Sequence, residues 1–93
     1  MSLAYPISGG GRGYQQITTA LSAATGLTVP AGASQAYVTV EMAAVRWRGD
    51  GVDPTTSVGM PLAAGDSMVL NGNLTKVKFI AVSGSPVLNV VYS

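Results

Sequence analysis

Residues 35–41 alternate strictly, with Ala36, Val38 and Val40 on one side and Tyr37, Thr39 and Glu41 on the other, the period of a half-buried strand. The pattern repeats in Val45-Arg46-Trp47-Arg48, where the apolar residues share one face and the cations the other. Met42-Ala43-Ala44 between these runs is expected to close a hairpin. Gly49-Asp50-Gly51 ends the second strand, and residues 52–57, with Asp53-Pro54 inside, form a surface loop. A short strand then carries Val58, Met60 and Leu62. After a turn at 63–66 and a strand over 67–70, Asn71-Gly72 is a strong turn signal, because both residues tolerate positive φ. Residues 75–82 and 87–92, joined by Ser83-Gly84-Ser85-Pro86, predict a terminal hairpin. In the first of these strands both faces become apolar toward its end, which predicts a central or covered strand.

The start of the chain has a different texture. Ser8-Gly9-Gly10-Gly11-Arg12-Gly13 has almost nothing to bury and maximal backbone entropy. Residues 1–14 therefore predict an extended Gly-rich arm, with Tyr5, Ile7 and Tyr14 as its anchors. Residues 15–24 fit both helical spacing (Ile17, Ala20, Leu21, Ala24) and alternation (Ile17, Thr19, Leu21), and are read as a strand. A short strand over 27–29 follows, bracketed by Thr25-Gly26 and Pro30-Ala31-Gly32. About eight short strands separated by Gly, Pro and Asn turns predict an all-β chain. Residues 15–93 are expected to form a single small β-sandwich or jelly-roll-like domain.

Composition narrows the function classes. The 93-residue chain has no Cys and no His, so disulfides, thiolate zinc sites, cysteine nucleophiles and histidine proton shuttles are out of reach. Charged residues make up 10%, the net charge is +1, and hydrophobic residues make up 47%. So little charge argues for association with other copies or a larger assembly and against nucleic-acid binding. No apolar run approaches the roughly 18–20 residues of a membrane span, and no secretory signal is legible, so synthesis and assembly in the cytoplasm are expected.

The carboxylates are Glu41, Asp50, Asp53 and Asp66. All four fall at predicted turns or strand ends, where acids serve solvation, and no pair is set up for glycoside chemistry. Asp50 and Asp53 fall short of the roughly six to eight oxygens that a Ca²⁺ site needs. Arg48-Gly49-Asp50 spells an integrin-binding tripeptide, but a turn explains the same letters. The glycines around Arg12 lack the strand and helix that frame a phosphate loop. Trp47 and Tyr37 together suggest a sugar-stacking platform as the alternative function, although Trp47 in the core beside Val45 is the simpler expectation. Neither catalysis nor a cofactor or metal is expected of this chain.

Four segments carry a resemblance: residues 26–33 (GLTVPAGA), 45–51 (VRWRGDG), 57–66 (SVGMPLAAGD) and 78–92 (KFIAVSGSPVLNVVY). They resemble small virion structural proteins of tailed bacteriophages, over roughly two-thirds of the chain. The resemblance implies a β-sandwich that acts as a cement or decoration protein on the capsid, commonly as a homotrimer, with the major capsid protein as partner. A tail or baseplate component is the alternative within the virion. The residues expected to touch the partner are Tyr5, Ile7, Arg12 and Tyr14 on the arm, and Arg46, Arg48, Asp50 and Asp53 around the central loop.

Overall fold

A computed structural model describes residues 13–93. Eight strands run in the order β1 (Gly13–Ile17), β2 (Thr25–Gly26), β3 (Gln35–Glu41), β4 (Val45–Arg48), β5 (Met60–Leu62), β6 (Ser67–Asn71), β7 (Lys78–Ala81) and β8 (Val87–Tyr92). They form two four-stranded antiparallel sheets, ordered β1-β8-β3-β6 (sheet one) and β2-β7-β4-β5 (sheet two). The pairs β1·β8, β2·β7, β3·β6 and β4·β5 are nested like the two arms of one long hairpin whose tip lies between β4 and β5. Rolled up, with β3 against β8 and β4 against β7, that hairpin is the jelly roll.

The core follows from the alternation. Ala36, Val38 and Val40 of β3, Leu88, Val90 and Tyr92 of β8, and Val45 and Phe79 from sheet two are all buried. Two short 3₁₀ turns, Thr19–Ser22 and Leu74–Lys76, add Leu21 and Leu74 to the same cluster. The expected strand over 15–24 is thus half right: it ends at Ile17, and the helical spacing beyond it belongs to a 3₁₀ turn. Residues 27–29 form no strand. The paired residues are Thr25 and Gly26, while Leu27 and Val29 pack against the core as loop residues.

The predicted local hairpins are overturned. Strands β3 and β4 lie in different sheets, as do β6 and β7, and β7 and β8. The segments 42–44, 72–77 and 82–86 are therefore corners between sheets. At the first corner Ala43 N–H donates to Glu41 O over 2.9 Å, with Met42 at φ 77°, a tight γ-turn that turns the chain sharply. Among consecutive strands, only β4 and β5 pair as a hairpin. β7 is central, between β2 and β4, as its two apolar faces predict. Pro61 sits in β5, an edge strand, where a missing N–H costs least.

Candidate binding surface

The loop from Gly49 to Gly59 is held by the cations beneath it. Arg46 projects from the outer face of β4 and donates from Nε to Thr56 O (3.2 Å) and from Nη1 to Gly59 O (2.8 Å), which ties down the returning limb. Arg48, two residues on, forks onto Asp50 through Nε–Oδ1 (3.1 Å) and Nη2–Oδ2 (2.5 Å). These bonds hold the Asp50 carboxyl down to about 2, well below its ordinary 3.8. Asp50 also accepts from Val52 N–H at 3.3 Å. Lys78, opposite Arg48 on β7, reaches Asp53 over 2.8 Å. Gly59, at φ 140°, packs so closely that a Cβ would lie 3.1 Å from both Arg46 Cβ and Trp47 O.

The structure therefore brings Arg46, Arg48, Asp50 and Asp53 together at the surface, with Arg46 bonded to loop carbonyls and the other three held in ion pairs that stay open to solvent. The Arg48-Gly49-Asp50 tripeptide is closed on itself by the ion pair. Asp66 accepts Ala63 N–H at 2.8 Å within its turn. Among the described residues no three of His, Cys, Asp and Glu come together as a metal site.

Trp47 lies opposite Met60 on the inner face of the β4–β5 hairpin, where it packs half-buried against the core. With Val58 it lines a shallow notch bordered by Arg48 and Asp50. Tyr37 lies on the outer face of the other sheet. Trp47 and Tyr37 thus share no face, and the sugar platform expected of the pair does not assemble.

The outer face of sheet one is a surface that residue-by-residue reading missed. The registers align Tyr14 with Val91, Val91 with Tyr37, and Tyr37 with Val69. These four side chains form one row across the whole sheet, with Tyr14 62% and Val69 46% exposed. The next outward row is Gln16, Asn89, Thr39 and Ser67. Tyr14 Oη donates to Asn89 Oδ1 at 2.6 Å, and Gln16 Nε2 donates to the same oxygen at 3.1 Å, so the two rows are tied together. Among the described residues, Glu41, at one end of β3, is the only charged strand residue on this face. Beneath it, Tyr92 donates to Gln15 Oε1 at 2.7 Å, and burial pushes its phenol pKa up.

Tyr14, expected on the arm, is instead part of β1 and anchors this row. Tyr5, Ile7 and Arg12 lie outside the described residues, as does the rest of the expected arm up to Arg12. The row had a sequence signal in the alternating Tyr37 and Thr39, but its completion by Tyr14, Val91 and Val69 needs the strand order. No family model, curated protein or solved structure matches the chain.

Proposed function

We propose that this chain is a structural protein of a tailed-phage virion, which attaches to the major capsid protein of the assembled head and stabilises it without chemistry. The observation that carries this reading is the outer face of sheet one: a hydrogen-bonded surface with a transverse apolar and aromatic row and one charged strand residue. Such a face suits extended contact with another protein surface, where aromatic residues are enriched and charge is depleted. The resemblance of four segments to phage virion proteins supplies the kind of assembly. A jelly roll by itself does not.

Quantitative mass spectrometry of purified virions tests the proposal. Copies in the hundreds per particle are expected of a head protein. A handful per particle assigns the chain to the tail or baseplate, and absence from virions removes the proposal.

A further inference from the structure

We infer that β6 is a self-pairing edge, through which two copies of this chain join sheet one into a continuous eight-stranded sheet about a twofold axis. This inference rests on backbone geometry and is independent of the virion reading.

Hydrogen-bond directions in sheet one alternate along each strand. Val40 N–H donates to Asp66 O (3.0 Å) and Val40 O accepts from Gly65 N–H (2.8 Å), so the even residues of β3 face β6. Gln35 and Ser93 exchange bonds of 3.1 and 3.0 Å, so the odd residues face β8. Val38 and Ala36 therefore bond Met68 and Leu70. The N–H and C=O groups of Ser67, Val69 and Asn71 consequently point away from the sheet, in a row with no backbone partner among the described residues.

Exposed edges of this kind are templates for another strand unless blunted by charge, proline, shortness or cover. Both edges of sheet two are blunted: β2 has two residues and β5 has three, with Pro61 among them. In sheet one, β1 has the segment around Thr28 beside it, bonded to the Gln15 side chain at 3.1 and 3.2 Å. β6 has five residues, Ser67-Met68-Val69-Leu70-Asn71, with neither charge nor proline.

A second copy is the occupant that fits. Antiparallel pairing with Val69 opposite its symmetry mate aligns Ser67 with Asn71 on both sides, and the outward groups of all three residues are satisfied at once. Neither copy's strand carries a charge, so no like charges meet across the pair. The row Tyr14, Val91, Tyr37, Val69 then continues into its own mirror order across the axis. This twofold arrangement differs from the threefold assembly that the resemblance implies.

Sedimentation equilibrium on the full chain, from about 1 to 200 µM, spans the range of a small strand-edge interface. The expected mass rises toward twice the 9.4 kDa of the chain. Val69→Pro removes one outward N–H and no bond to β3, so it is expected to leave a folded monomer by circular dichroism. Val69→Lys and Val69→Glu are each expected to weaken self-association at least tenfold, while an equimolar mixture regains the dimer because residue 69 faces its own copy. A wild-type monomer or trimer over this range overturns the inference. So does a dimer unchanged by both Val69→Lys and Val69→Glu, or a mixture no more dimeric than either variant alone.

Discussion

Single residues carry the tightest constraints of this fold. Gly59 combines a φ of 140° with backbone and side-chain atoms at 3.1 Å, so Gly59→Ala should cost about 1–3 kcal/mol and loosen the loop above Arg46; urea unfolding measures it. Met42 is the opposite case: an exposed side chain on a φ of 77°. Met42→Gly relieves that conformation and should raise stability by up to about 1 kcal/mol, offset in part by backbone entropy. Asp50 makes stability depend on pH. Its folded pKa, about 2, lies below the ordinary 3.8. The contribution is therefore present above pH 4 and lost as pH falls toward 2. In a thermal melt series, wild type should lose more Tm across that window than Asp50→Asn, and the two curves should converge near pH 2.

At the scale of elements, most strands from residue 35 onward were legible, those before it were only partly so, and the strand partners were not. Alternation in 35–41 and 45–48 identified β3 and β4 with the correct buried faces, because a side-chain period of two is a local property. Asn71-Gly72 and Ser83-Gly84-Ser85-Pro86 also mark where the chain turns. Turn chemistry specifies that the backbone bends, whereas the choice between a hairpin and a corner depends on which distant strand covers each inner face. Tyr14 meets Asn89 across 75 positions of sequence, and no local pattern encodes that closure. The same argument explains the site. Arg46 and Arg48 were found as an exposed pair, but their engagement with Thr56, Gly59 and Asp50 needed the loop path. Phe79 on β7 and Leu88 on β8, one from each sheet, are fully buried. Leu88→Ala should cost about 2–5 kcal/mol in denaturant unfolding.

For the whole molecule, the proposed account joins a jelly roll with a buried core to one broad, almost uncharged face. Rolling the nested hairpin buries Ile17, Val38, Val45, Phe79 and Val90 inside and leaves Tyr14, Val91, Tyr37 and Val69 as a row on the outer face of sheet one, apart from the core cluster. Among the described residues, both sheets and the core cluster are built from positions within 13–93, and a chain lacking residues 2–12 is expected to keep them, with a Tm within a few degrees of wild type. The most direct test of the central claim is binding of purified protein to phage heads assembled without it. The measurement compares wild type with Tyr37→Asp and Val91→Asp, whose folding is verified by circular dichroism. The account predicts saturable decoration and greater thermal resistance of the heads with wild type, and a loss of affinity of at least tenfold in each variant. Equal decoration by the wild type and both folded variants would contradict it.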